Sequence, residues 1–223
     1  MATRRTYGGG CAIAGALDVV GERWALLVVR ELVLGPKRYT DLQAGLGGAS
    51  HNVLSQRLRE MEETGVVRRR RLGPPTSAWV YELTDWGREL EPVLVHLGRW
   101  GRRSPLHERD IRPDLSVDAL VLALRAHFEP ERAGDLAARY AVHLGEDRFV
   151  VRVADGELHV ERGEWHDTDA SVVTDIAGFT ALVIHKKPFA TVLDEGGAQV
   201  TGDREAVERL LSALADPVAT AAR

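Results

Sequence analysis

The sequence predicts two domains of different class: a mainly α amino-terminal domain that closes with a β-hairpin, and a carboxy-terminal α+β domain in which helices cover an antiparallel sheet. Three observations predict this. Apolar residues recur at helical spacing as far as residue 63 and then give way to two β-rich runs flanking a turn. Beyond Leu115, helical and strand-like segments alternate, with strong turn signals between them. Charge is also segregated. Residues 1–104 carry a net +5 and residues 105–223 a net −9, although the whole chain is −4. The expected domains are 1–104 and 116–223, joined by a polar linker over 105–115 that contains Pro105 and Pro113.

Ile13, Ala16, Leu17 and Val20 mark a first helix, and after the break at Gly21 the residues Trp24, Leu27, Val28, Glu31 and Leu32 mark a second. Gly35-Pro36 ends that run. Tyr39, Leu42 and Leu46 then define a short helix that stops at Gly47-Gly48. Ser50 is placed to cap the next helix, whose stripe Val53, Leu54, Leu58 and Met61 runs to Glu63, with Gly65 as the stop. Residues 66–72 and 78–83 flank Gly73-Pro74-Pro75-Thr76-Ser77 as a hairpin. Thr84 caps a further helix carrying Leu90, Val93, Leu94, Leu97 and Trp100 on one stripe.

A short helix, a glycine turn, a capped second helix and a hairpin, in that order, make a winged helix-turn-helix. In such a unit the second helix must be apolar where it packs and polar where it enters the major groove. The outward residues are expected to be His51, Asn52, Ser55, Gln56 and Arg59, with Ser50 at the helix N-terminus, where a phosphate is favoured. Asn and Gln can bond adenine edges and Arg guanine. Arg68, Arg69, Arg70 and Arg71 lead into the hairpin turn and would flank the DNA backbone or minor groove. Strand alternation sends them to both faces, so one face presents about half of them. The same charges on a solvated edge strand would also oppose sheet-to-sheet aggregation.

Over residues 11–100 the sequence resembles the HxlR-type regulators of the MarR-like superfamily. The matching residues are Cys11, Leu17-Asp18-Val19-Val20-Gly21-Glu22-Arg23-Trp24, Gly35 with Arg38-Tyr39 and Leu42, Leu54-Ser55-Gln56-Arg57-Leu58-Arg59-Glu60-Met61-Glu62 with Gly65, and Val80-Tyr81-Glu82-Leu83-Thr84 with Gly87. Ala12 departs from the family, which usually has proline there. The resemblance implies a homodimer on a pseudo-palindromic operator in double-stranded DNA, with Arg38 among the DNA contacts. It places the dimer seam on the first helix and the helix after the wing, at Leu17, Leu90, Val93, Leu94, Leu97 and Trp100. It further makes Cys11 a candidate redox or electrophile sensor. The alternative for Cys11 is a small buried hydrophobe.

The second half resembles a sterol-carrier-protein-like domain. The resemblance rests on a leading helix with Leu120, Val121, Leu124 and Phe128, strands over 136–144, 148–154 and 157–162 with the Asp155-Gly156 turn, the 170–179 segment, and Val200-Thr201-Gly202-Asp203 before a last helix. His185-Lys186-Lys187-Pro188 departs from it, where glycine is more usual. It implies an apolar chamber for a hydrophobic small-molecule effector, with Phe128, Tyr140, Phe149, Phe179, Leu182, Val183, Phe189 and Leu193 as lining candidates. A packed core without a chamber would use the same residues.

The reading is therefore a DNA-binding regulator controlled by an apolar ligand. The alternatives are a constitutive repressor whose second domain serves interaction or dimerisation, and redox control through Cys11. No phosphate loop, GxSxG elbow or metal-ligand spacing is present, so no catalytic residue, metal or cofactor is expected. No apolar run reaches the ~18 residues of a membrane helix, the start lacks a signal-peptide core, and a cytoplasmic location with no membrane partner is expected.

Overall fold

The computed structural model describes residues 6–8, 10–103 and 115–215. Most of the expected linker, 105–114, lies outside the described residues. Two compact units divide between Leu94 and Val95. The division falls within a helix, ten residues before Ser104.

The first unit runs α1 (Ala12–Val20), α2 (Ala25–Leu32), α3 (Tyr39–Gly45), α4 (His51–Glu63), β1 (Val67–Arg71), β2 (Trp79–Leu83) and α5 (Asp85–Arg88), and α6 (Leu90–Gly101) crosses the division. α4 begins where its cap dictates: Ser50 Oγ accepts from the Val53 backbone N–H at 3.4 Å. It ends before Gly65, whose φ of +76° is the left-handed conformation that glycine adopts freely. Leu54, Leu58 and Met61 bury one side of α4, which packs on α2 and β1. Val53, expected on that stripe, is exposed. It lies about 100° around the helix from Leu54, beyond the reach of the core.

β1 and β2 pair antiparallel with Arg68 opposite Glu82 and Arg69 opposite Tyr81. Lys37 adds a short third rung. Its N–H donates to the Tyr81 carbonyl at 3.0 Å, and the Tyr81 N–H donates back at 2.8 Å. The wing is thereby tied to the segment before α3. Thr84 caps α5 by accepting from the Gly87 N–H at 3.0 Å, but the helix expected to continue from there is interrupted at Glu89. Pro92 explains the interruption: it has no N–H for the Arg88 carbonyl, and its ring collides with that carbonyl in an unbroken helix.

The second unit continues with α7 (Val117–His127), α8 (Pro130–Ala133), β3 (Ala138–Leu144), β4 (Asp147–Ala154), β5 (Glu157–Arg162), β6 (Ala170–Thr174), α9 (Ile176–Val183), α10 (Phe189–Asp194), β7 (Ala198–Gly202) and α11 (Arg204–Ser212). The five strands form one sheet in the order β5-β4-β3-β6-β7. Side-chain oxygens of Ser116, Asp175 and Asp203 cap α7, α9 and α11. At the β4–β5 hairpin Asp155 and Gly156 have φ of +53° and +74°, the pair of left-handed residues that a type I′ turn requires.

The expected antiparallel sheet is corrected to a mixed one. β3 pairs parallel with β6, while β3–β4, β4–β5 and β6–β7 are antiparallel. The chain leaves β5 at one edge, crosses β4 and β3 through residues 163–169, and enters β6 in the direction of β3. Asp169 fixes the landing point: its N–H donates to the Arg139 carbonyl at 2.8 Å, and its carboxylate accepts from the Arg139 N–H at 2.7 Å. One sheet face carries Tyr140, Val142, Phe149, Val151, Val153, Leu158 and Val160, all buried, with α7, α9 and α11 packed on the sheet.

Candidate nucleic-acid interface

The buried pole of α4 sets its opposite pole by geometry. With Leu54, Leu58 and Met61 inward, 100° per residue turns Asn52, Gln56 and Arg59 outward, and all three are exposed. Gln56 donates from Nε2 to Glu60 Oε1 at 2.7 Å, and Arg59 Nε reaches the Ser55 carbonyl at 3.4 Å. Both contacts are local and leave donors over.

His51 and Ser55 occupy the flank that faces α3. The Tyr39 hydroxyl lies 2.9 Å from His51 Nδ1, donates to the His51 carbonyl at 3.0 Å, and accepts from Ser55 Oγ at 3.2 Å. The Tyr39 and His51 rings meet edge-on at 4.9 Å. Tyr39 is thus a hinge pin between the two helices that the sequence reading did not assign. His51 remains exposed and Ser55 half-buried. Arg38, just before α3, is exposed, and its N–H donates to Asp41 at 3.2 Å.

Arg57 is a second such residue. Its guanidinium donates to the Arg23 carbonyl at 3.2 Å and pairs with Glu60 and with Glu22. It pins α4 to the turn before α2. The i, i+3 spacing from Arg57 to Glu60 was the signal for part of this.

All four wing arginines are exposed, and they divide by strand alternation. Arg68 and Arg70 share one face and both bond the carboxylate of Glu82, at 2.7 and 2.9 Å through their Nε atoms. Arg69 lies on the other face with its guanidinium over Trp79, 4.7 Å from the ring centre, and 6.0 Å from that of Tyr81. Arg71 lies opposite Trp79 in the register. Burial opposes ionisation of Glu82, but the bonds from Arg68 and Arg70 outweigh it and hold its pKa below the usual carboxylate value.

The structure sorts the six seam candidates. Leu94 is buried within its own chain and Leu90 is half-buried, whereas Leu17, Val93, Leu97 and Trp100 are exposed. Leu94 is corrected accordingly: it lies about 100° around the helix from Val93, on the edge of the Val93-Leu97-Trp100 face that turns into its own chain. Ile13 joins the exposed apolar residues of α1. Cys11 is exposed within its own chain at the N-cap of α1. The backbone N–H groups of Ala14 and Ile13 lower its thiol pKa.

None of the eight ligand-lining candidates lines the 770 Å³ cleft of this unit. Phe128, Tyr140, Phe149, Phe179, Leu182 and Val183 are buried in the core, and Phe189 and Leu193 are half-buried. The Tyr140 hydroxyl donates to the Ala206 carbonyl at 2.9 Å, and burial raises its pKa. Arg162 covers Phe149 at 4.7 Å while paired with buried Asp118 at 3.1 Å. That cleft is lined by Leu115, Val117, Leu144, Ile176, Ala177 and Thr180, with Glu146, Asp147, Asp175 and His185 as polar members. The large apolar residues expected around a ligand are packed into the core of this unit, and the cleft is lined by other side chains. Among the described residues no group of three or more side chains could hold a metal ion, and no helix is long and apolar enough to cross a membrane.

Residues 106–219 match the family described as alkyl sulfatase C-terminal, which corrects the sterol-carrier-protein-like expectation. A leading helix, a meander with a tight turn and a closing helix are shared by many helix-covered sheets, so that pattern named an architecture and not a family. Residues 19–108 match the HxlR-like helix-turn-helix family. The chain is 38% identical over 85 residues to the HTH-type transcriptional regulator YvaP of Bacillus subtilis, covering 38% of this chain and 79% of the relative. It is 32% identical over 94 residues to YdeP, an HTH-type transcriptional regulator of the same organism, covering 42% and 73%. Among solved structures, the redox regulator HypR in its oxidised form is 29% identical, with a TM-score of 0.40, over 45% of this chain and 100% of that one. With its capped outward-facing helix and arginine wing, the chain belongs to the HxlR-like helix-turn-helix family, joined to a second domain that matches the alkyl sulfatase C-terminal family.

Proposed function

We propose that this protein is a sequence-specific DNA-binding transcriptional regulator that acts as a homodimer on a pseudo-palindromic operator. The observation that carries the reading is the outward pole of α4: Asn52, Gln56 and Arg59 are exposed together beside a wing with four exposed arginines. An α-helix fits the major groove of B-DNA, and the wing arginines would meet phosphates alongside. The relatives YvaP and YdeP are named transcriptional regulators, which supports the same role. Binding to a duplex of random sequence is expected to weaken steeply as salt rises, the signature of counterion release. No binding at low salt, or binding indifferent to salt, would remove the reading.

A small molecule controlling the regulator through its second domain belongs to the same proposal, with the 770 Å³ cleft as its place of entry and the apolar side chains Leu115, Val117, Leu144 and Ile176 as its contacts. A chain ending near Ser104 would then keep DNA binding and lose the response. If the second domain serves only interaction or dimerisation, there is no response to lose.

A second reading, redox control through Cys11, is favoured by the exposure of its thiol and by the helix N-terminus that lowers its pKa. Affinity for DNA left unchanged by diamide would exclude it.

A further inference from the structure

We propose that Glu82 is a positioning residue for DNA binding, a buried carboxylate that holds Arg68 and Arg70 side by side as one phosphate-gripping unit; this rests on the DNA-binding reading above. Glu82 is 6% exposed, at the fourth of the five positions of β2, and its two oxygens are divided between two arginines. Oε1 accepts from Arg68 Nε at 2.7 Å and Oε2 from Arg70 Nε at 2.9 Å. Arg68 is directly opposite Glu82 across the β1–β2 ladder, and Arg70 is two residues further on the same face. Both arginine side chains are about half exposed.

The choice of atoms matters. A guanidinium has five N–H donors, and each arginine uses only Nε–H toward Glu82. The terminal nitrogens of both, with four N–H groups each, make no hydrogen bond to the described residues and remain available to an anion. A carboxylate that engages Nε also fixes the plane of the guanidinium, so two forks are presented with little rotamer freedom left to lose on binding. The bland account of the same triad is a salt bridge that merely stabilises the hairpin. Exposed pairs of this kind contribute little to stability, and a buried acid between two flexible arginines is an inefficient way to gain it.

The two accounts, together with simple charge counting, predict different signs. Removing a negative charge from a DNA-facing wing should tighten binding if only net charge counts. If Glu82 positions the arginines, Glu82→Gln should weaken binding although the wing becomes more positive. The test uses the full chain and a random-sequence DNA duplex, with affinity measured across a salt series for wild type, Glu82→Gln, Arg68→Ala/Arg70→Ala, and the triple variant.

The expected result is a loss of roughly tenfold at low salt for Glu82→Gln, with the slope of log affinity against log salt shallower by about one unit. In the Arg68→Ala/Arg70→Ala background, Glu82→Gln should have no further effect, because the two changes act through the same contacts. Thermal melting of each variant is measured alongside, and a role confined to stability would lower the melting temperature without changing the salt slope of the folded protein. Tighter or unchanged binding by Glu82→Gln, or an equal loss in the arginine-free background, overturns the proposal. Absence of duplex binding by the wild type would overturn it together with the DNA-binding reading, and so separates the two failures.

Discussion

Replacing Glu31 by alanine is expected to destabilise the first unit by about 3 kcal/mol, read as a shift in the urea or thermal unfolding midpoint. Glu31 is fully buried on α2 and bonded at 2.8 Å by both Arg30 and Lys37. Its carboxylate also occupies the space beside Gly45 where a β-carbon would sit, so that any side chain there would collide with it. Arg30 reaches the Gly45 carbonyl at 3.5 Å. The carboxylate therefore docks the end of α3 onto α2, and through Lys37 it anchors the strand that pairs with Tyr81 of the wing. Removal leaves two cations, each partly solvated, beside a cavity. Partial resolvation of those cations keeps the loss near the lower end for broken buried pairs. A loss under about 1 kcal/mol would show that the carboxylate only fills space.

For the proposed dimer, Leu97→Glu is expected to give a monomer and to weaken binding to a two-half-site duplex at least about a hundredfold, since two linked half-site contacts become one. Leu97 is 44% exposed and Trp100 67%, and with Val93 they make a continuous apolar face at i, i+4 and i+7 on α6. Exposed apolar residues clustered on one helix face are a signature of association, and a symmetric dimer would pair this face with its own copy. The charge enters at an exposed site, so the monomer should fold. Sedimentation equilibrium and fluorescence anisotropy read the two effects. A variant still dimeric, with affinity intact, would place the seam elsewhere.

The parts of the fold legible in the sequence were those fixed within a few residues of themselves. The Ser50 cap, the Leu54-Leu58-Met61 stripe and Gly65 bracket α4 at its observed limits, and Asp155-Gly156 names its own turn. The break before α6 was missed: the apolar stripe suggested one helix from Thr84, although Pro92 cannot continue it. What could not be read depended on partners distant in the chain. The parallel pairing of β3 with β6 is set by a crossing connection whose landing depends on Asp169 and Arg139, thirty residues apart. Glu31 fell on an apolar stripe without explanation, because the cations that neutralise it include Lys37, beyond a turn.

The candidate site divides along the same line. The outward residues of α4 follow from periodicity alone, and so does the splitting of the arginine run between two faces. Tyr39, Arg57 and Glu82 were invisible as site residues, because each acts on another element: Tyr39 on His51 and Ser55, Arg57 on the Arg23 carbonyl, Glu82 on two wing arginines. The ligand candidates were legible only as buried residues. Large apolar residues announce burial, and burial alone does not separate a core from a chamber.

The central claim is that the exposed pole of α4 reads base edges. It is tested most directly by selecting a preferred duplex from a random pool with the wild type, and then measuring Asn52→Ala and Gln56→Ala on that duplex and on a scrambled one. Each variant is predicted to lose about 1 to 3 kcal/mol on the selected duplex and almost nothing on the scrambled one. Equal losses on both duplexes would contradict the account.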